Sequence, residues 1–203
     1  MNLGSRRIRL KAIWLLLIPF LILARPTPGL LVAGGCIASL GTAIRAWAAG
    51  CIKKQRELTT TGPYAHTRNP LYLGSLLIGI GVTVAGGRWI FTALFVLFFL
   101  LVYRQTMKNE EALLEREFGE AYRRYREEVP RLLPRLGPYR PRRASTGAPA
   151  TGAGALSTEP RATAYAKVRT WFSPRRYLRN REWEAALGVA AGLTFLVIKM
   201  IWA

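Results

Sequence analysis

The chain has 203 residues and a formal charge of +19, from 30 Lys and Arg against 11 Asp and Glu, yet its mean hydropathy is positive at 0.15. Long uncharged runs between basic segments exclude a soluble globule and point to one small polytopic membrane domain. Polybasic segments suit either nucleic acid or an anionic leaflet, and a nucleic-acid binder has no use for apolar spans, so the expected partner is the anionic cytoplasmic leaflet, with no nucleic acid.

Taken in order, Arg6, Arg7, Arg9 and Lys11 precede an apolar run over 12–24, and no small-x-small cleavage site stands before Arg25-Pro26-Thr27-Pro28, which predicts an uncleaved first helix. A second run, 26–44, is rich in small residues that let helices approach closely. The third, 70–87, is glycine-rich, and the fourth, 89–103, is dominated by Phe and Leu, with Arg88 marking a short turn between them. Residues 107–128 change to an amphipathic pattern: Leu114, Phe118, Tyr122 and Tyr125 share one stripe among charged neighbours, as in a helix lying on the membrane surface. Extending that stripe four residues back turns Glu110 inwards and leaves Glu111 off it. From Pro130 to about Arg161 the composition is Pro, Arg, Ala, Gly and Thr, and the last apolar run, 185–198, is followed by Lys199.

The expected architecture is thus an all-α, polytopic membrane helical bundle of about five transmembrane helices with a cytoplasmic amphipathic helix. Residues 1–136 form the membrane core, 137–182 a basic flexible cytoplasmic linker, and 183–203 a C-terminal transmembrane helix. Placing the N-terminus, the 51–69 loop and the 104–182 region on one side puts every Lys and Arg there except Arg25, Arg45, Arg88 and Lys199. By the positive-inside rule that side is cytoplasmic. Cys36 and Cys51 belong to no CxxC pair or Cys/His cluster, which predicts free thiols and no metal.

The stretch that joins basic to apolar sequence is Gly62-Pro63-Tyr64-Ala65-His66-Thr67-Arg68-Asn69-Pro70-Leu71-Tyr72-Leu73-Gly74. Gly62 admits positive φ, Pro63 lacks an N–H, and Pro70 suits the first turn of a helix. That helix points its unpaired N–H groups and positive dipole end back at the loop, which favours an anionic group, while Tyr64 and Tyr72 offer faces to a cation. The pattern describes a ligand-binding turn at a membrane surface, or an ordinary cytoplasmic turn capping a transmembrane helix.

Gly-x-Tyr and Arg-Asn-Pro-x-Tyr-x-Gly here are followed by Glu110-Glu111, then Phe118-Gly119-Glu120-Ala121-Tyr122-Arg123-Arg124-Tyr125 and Val129-Pro130-Arg131. In this order the motifs resemble the isoprenylcysteine carboxyl methyltransferase and phospholipid methyltransferase superfamily over roughly residues 50–135. The resemblance implies an S-adenosylmethionine cofactor and a pocket lined by Tyr64, Asn69, Pro70, Leu71 and Tyr72. Arg56, Glu57, Leu58 and Thr59 just before them also belong to that implied pocket, and Glu110 contacts the cofactor. Two positions depart from the family pattern: Asn69 replaces a His, and Thr106 stands where the prenylcysteine enzymes carry an Arg that holds the substrate carboxylate.

Methyl transfer is an in-line displacement in which the protein mainly aligns the reactants and excludes water. A carboxylate acceptor needs a cation and no base, and Arg68, Arg104 and Arg131 are the cations near the motifs. An amine acceptor needs a base, for which His66 is the sole histidine. The expectation is methylation of a lipid or isoprenoid-linked acceptor, by preference a carboxylate, that enters from the bilayer. Phospholipid N-methylation is the alternative, and an NADPH-dependent membrane reductase or a non-enzymatic basic membrane anchor are alternatives of other classes.

Overall fold

The computed structural model describes residues 14–52, 58–140 and 172–202. The N-terminal cations, Arg56 and Glu57, and the 141–171 part of the expected linker lie outside these residues. Among the described residues every regular element is helical: α1 Trp14–Leu23, α2 Pro28–Cys51, a 3-10 turn Gly62–Ala65, α3 Pro70–Ala85, α4 Trp89–Phe118, α5 Glu120–Glu128, α6 Pro174–Arg179 and α7 Trp183–Trp202. Three of them, α2, α4 and α7, are long and apolar enough to cross a membrane, whereas α1 and α3 are shorter apolar helices. The chain is an integral membrane protein built as a helical bundle.

Small residues set its centre. Antiparallel α2 and α3 touch backbone to backbone: a Cβ on Gly41 would lie 2.7 Å from Gly74 O, and one on Gly81 would collide with Ala38 N and Gly34 O. Such contact maximises dispersion where lipid offers no hydrophobic drive for helices to associate. Phe20, Ala24, Ala85, Phe91 and Leu196 bury a second cluster at the far end, where Phe20 meets Phe91 edge-on at 5.5 Å between ring centroids. There Lys199 Nζ donates to Leu21 O and Ile22 O, both at 2.6 Å, and so satisfies carbonyls that the end of α1 leaves open.

Three expected boundaries move. The second helix does not stop at residue 44 but runs to Cys51, so Arg45 lies inside it, bonded to Ser75 and Leu71 O at the motif end, not at the opposite end with Arg25, Arg88 and Lys199. The amphipathic stretch is not a separate helix: α4 continues through it to Phe118 and bends only at Gly119, whose φ of 53° and ψ of −127° suit glycine alone, before α5. Residues 172–182, assigned to the linker, form α6 and its flanks and dock on α2. At the end of α2 Ala49 O accepts from Asn180 Nδ2 (2.9 Å), Gly50 O from Ser173 N (3.1 Å) and Cys51 O from Arg176 Nη1 (3.4 Å). Those are carbonyls a helix cannot satisfy itself, and Arg176 adds a favourable charge at the negative dipole end.

The packing of α2 on α3 yields a paired test. Gly81→Ala forces a methyl into backbone and should destabilise the protein by about 1–3 kcal/mol. Gly192→Ala, where an added Cβ meets nothing within 4 Å, should be neutral or stabilise by up to about 1 kcal/mol. Thermal unfolding of both variants in one detergent checks this, and equal midpoints would exclude close packing at Gly81.

Candidate active site

The loop before α3 begins at Gly62, whose φ of 62° turns the chain against Cys51 at the end of α2. Pro63, Tyr64 and Ala65 are buried in the 3-10 turn. Residues 65–69 then lie along 130–139, joined by Arg68 N to Pro130 O (3.0 Å), Arg135 N to His66 O (2.9 Å) and Tyr139 N to Ala65 O (2.9 Å). Side chains tighten this seam. Buried Thr67 donates through Oγ1, which lies 3.1 Å from the carbonyls of both Arg131 and Leu132, and His66 donates Nδ1–H to Arg135 O at 2.9 Å. Tyr125 Oη donates to Tyr64 O at 2.7 Å from the buried cluster of Tyr122, Tyr125 and Val129.

Two faces of one helix divide the acidic pair. Glu110 is exposed and accepts from Tyr72 Oη at 2.8 Å. Glu111 is buried and receives Arg131 in a bidentate fork (Nε to Oε1 2.8 Å, Nη2 to Oε2 2.6 Å), with Arg68 Nη1 3.4 Å from Oε1. The expected orientation is therefore reversed. Extrapolating the aromatic stripe back from Tyr122 crosses the bend at Gly119, whereas the inward stripe of α4 itself is Met107, Glu111, Leu114 and Phe118, at spacings of four, three and four. That spacing, counted from Met107, is the signal that would have found Glu111.

The fork raises the pKa of Arg131 above its ordinary value, chiefly through the hydrogen bonds to Glu111. Burial, and next the Glu111 charge, pushes the Tyr122 hydroxyl up, so it stays neutral beside the clamp. Burial likewise keeps Tyr64 neutral, with the charges of Glu110 and Glu182 acting in the same direction and Arg45 against them.

Of the three candidate cations, the structure brings Arg68 and Arg131 together on Glu111 and leaves Arg104 exposed, two helical turns or about 10 Å nearer the start of α4. Arg131 is spent on Glu111, while Arg68 keeps Nε and Nη1 buried without a hydrogen-bond partner. Thr106 bonds its own helix at Val102 O. Asn69 does not cap α3; its Nδ2 donates to Arg131 O at 3.0 Å, which leaves the N–H groups of the first turn of α3 open. Pro70 is buried at N1, with Leu71 and Tyr72 half-buried beyond it. Leu58 packs on the Tyr122 cluster and Thr59 lies next to it, so this pair sits beside the aromatic core.

Tyr64, Tyr72 and Glu110 are the expected cofactor residues that fit a ligand. The Tyr64 hydroxyl is buried and has no partner, which is costly unless something supplies one. It stands within electrostatic reach of Glu110 and Arg45. Carboxylate, phenol and open helix amides together can take up a group carrying both an ammonium and a carboxylate. Among the described residues no group of three or more His, Cys, Asp or Glu is placed to hold a metal ion.

Glu111→Gln leaves two guanidinium groups facing each other. Stripping one partner from a buried ion pair costs about 3–5 kcal/mol, and because the Arg131 side chain is 37% exposed the expected loss is about 2–3 kcal/mol. Glu110→Ala should leave the unfolding midpoint in place. Calorimetry of both variants decides it, and a larger loss for Glu110→Ala would reverse the assignment.

A family model described as phospholipid methyltransferase matches residues 30–121. The chain is 35% identical to the cobalt-zinc-cadmium resistance protein CzcN of Cupriavidus metallidurans over 56% of its own length and 53% of that protein's. It is 36% identical to the protein-S-isoprenylcysteine O-methyltransferase of Schizosaccharomyces pombe over 40% and 34%. It is also 34% identical to the nickel-cobalt-cadmium resistance protein NccN of Alcaligenes xylosoxydans xylosoxydans over 55% and 53%. The chain thus spans about half or less of the length of these curated relatives, and no solved structure matches it. The matched region holds α2, the loop, α3 and α4 with its paired glutamates, and over it the chain is similar to the membrane superfamily of phospholipid and isoprenylcysteine methyltransferases.

Proposed function

We propose that the chain is an integral membrane methyltransferase that uses S-adenosylmethionine and acts on a lipid or isoprenoid-linked acceptor, with a carboxylate as the group methylated. The observation that carries this is the buried, unpartnered Tyr64 hydroxyl beside the Tyr72–Glu110 bond at the open first turn of α3. S-adenosylmethionine, when bound, supplies a methyl group activated by its sulfonium charge. Glu110 would hold the ammonium, the α3 amides the carboxylate, and Tyr64 would complete its own hydrogen bonding on the ligand. Buried Pro63, Tyr64 and Ala65 keep water from that side.

A carboxylate acceptor reaches the site already deprotonated, so no side chain has to take a proton. Exposed Arg104 retains donors to hold it, and Arg68, whose Nη1 faces Glu111 at 3.4 Å, keeps Nε without a hydrogen-bond partner. Entry from the bilayer is supported by a cleft of about 350 Å³ between α3 and α7, lined by Ile78, Val82, Ala185, Gly188 and Val189, with Arg45 and Ser75 at its polar end. That volume is near the lower end of ligand clefts, about 300–1,000 Å³, and its lining is mostly apolar, as a lipid tail requires. The basic segments rest on the anionic cytoplasmic leaflet in this proposal, which puts the motif end of the bundle where a soluble cofactor is available.

A phospholipid amine is the second possibility, favoured by the description of the matching family. It requires a base, and His66, whose Nδ1 proton is committed to Arg135 O, has Nε2 for that role.

The test offers the purified protein, in lipid nanodiscs with labelled S-adenosylmethionine, a prenylated thiol-carboxylic acid, a phosphatidylethanolamine and a water-soluble carboxylate. Label should pass to the prenylated acid, and Glu110→Ala and Tyr64→Ala should each weaken cofactor binding by about 2–3 kcal/mol or less, the worth of a hydrogen bond to a charged group. Transfer to the amine alone would replace the carboxylate, preference for the soluble acid would exclude lateral entry, and unchanged cofactor affinity in both variants would sink the pocket.

A further inference from the structure

The C-terminal helices lie beyond the residues that the family match covers, yet they reach the candidate site through one ion pair. Arg45 of α2 donates from Nε (2.9 Å) and Nη2 (2.7 Å) to the same oxygen of Glu182, in the turn between α6 and α7, across 137 positions of sequence. Its remaining nitrogen, Nη1, donates to Ser75 Oγ and approaches Leu71 O at 3.5 Å, and Ser75 Oγ itself donates to Leu71 O at 2.9 Å. Leu71 O belongs to the open first turn of α3, one residue before Tyr72. The guanidinium is thus a rigid fork with Glu182 on one edge and the ligand-facing turn on the other.

Three further observations say that the placement of Glu182 is built and not incidental. Its side chain is 11% exposed and that of Arg45 23%, so the pair is shielded from solvent that would weaken it. Arg181 beside it holds a positive φ of 56°, a conformation that L side chains rarely adopt and that persists only where the surroundings enforce it. The preceding segment is pinned to the end of α2 by Ser173, Arg176 and Asn180, with the Phe172 ring against Gly50, where a Cβ has no room.

We propose that Glu182 is a positioning residue for the candidate site: by orienting Arg45 it fixes the first turn of α3, and the α6–α7 unit is thereby part of the methyltransferase machinery and not merely an anchor. This rests on the proposed function for what the turn binds, but the mechanical link stands on geometry alone. Glu182 touches no ligand in this scheme and acts only through Arg45 on Leu71 and Ser75.

Two measurements on the full chain in nanodiscs test it. Hydrogen exchange over residues 70–78 reads the link itself, with or without cofactor. Glu182→Gln should speed exchange there several-fold, and Glu182→Asp, which keeps the charge, should restore part of the protection. Binding of labelled S-adenosylmethionine reads the consequence: Glu182→Gln should weaken it about tenfold with little change in unfolding midpoint, a split that a simple tether of α7 would not produce. Because Glu182 is proposed to act through Arg45 on the contacts that Ser75 shares, adding Ser75→Ala to Glu182→Gln should weaken binding no further. Unchanged exchange over 70–78 in Glu182→Gln would overturn the proposal, as would binding losses that multiply in the double variant. Wild-type protein that fails to bind the cofactor would instead remove the proposed function, while the exchange measurement would still decide the link.

Discussion

The motif end of this molecule depends on the seam between residues 65–69 and 130–139. A loop bounded by Pro63 and Pro70, two residues that lack an N–H and restrict their neighbours, bonds only part of its own backbone, through the N–H groups of His66 and Thr67 on Pro63 O. Buried backbone groups need partners, and here they find them in a segment more than sixty residues away, through three backbone bonds and the side chains of His66, Thr67 and Asn69. Each bond is worth only about 1 kcal/mol net, but together they oppose an ordering cost of about 1–2 kcal/mol per residue. The consequence is that the loop moves with α4 and α5 as one body.

Glu111 locks that body. It stands on α4, its two cations come from the loop and from the segment after α5, and the three side chains meet only if all three elements are in register. Such a clamp contributes less to net stability than its Coulomb energy suggests, because ions were stripped of water to build it. What it supplies is selectivity among arrangements, since a misplaced loop strands a buried carboxylate. The clamp also settles the neighbour: adjacent residues on a helix point about 100° apart, so burying Glu111 turns Glu110 towards Tyr72 and the open turn of α3.

The helical bundle, the last helix and the start of α3 at Pro70 were legible because each is written in local sequence: uncharged runs of helical length and proline at a first turn. Arg45 was not. A lone arginine at the edge of an apolar run reads as the end of that run, and its reason for lying inside α2 is Glu182, 137 positions away. Glu111 was missed because a stripe was carried across Gly119, where positive φ breaks the register. Arg131 was legible as a cation near the motifs but not as one already engaged, and Asn69 was legible as a hydrogen-bonding residue but not as one facing Arg131 O rather than a ligand. For Arg45, Arg131 and Asn69 the deciding fact is a long-range pairing, which no local pattern records.

The continuity of α4 explains why this chemistry suits a membrane. From Trp89 to Glu110 is 21 residues, about 32 Å at 1.5 Å per residue, close to the roughly 30 Å hydrocarbon thickness. If exposed Trp89 sits at one interface, where tryptophan is favoured, this length brings Glu110 to the other. Tyr103, two turns before Glu110, meets Tyr72 edge-on at 5.4 Å between ring centroids, which sets the α3 turn at the same depth. Under the proposed function a charged ligand from the aqueous side and a head group attached to a buried tail would therefore meet at one level, and neither would carry its charge into the bilayer, where an unpaired ion costs several kcal/mol. The bend at Gly119 follows once α4 has cleared that level: the chain turns back as α5, and the segment after it can close along the loop it holds.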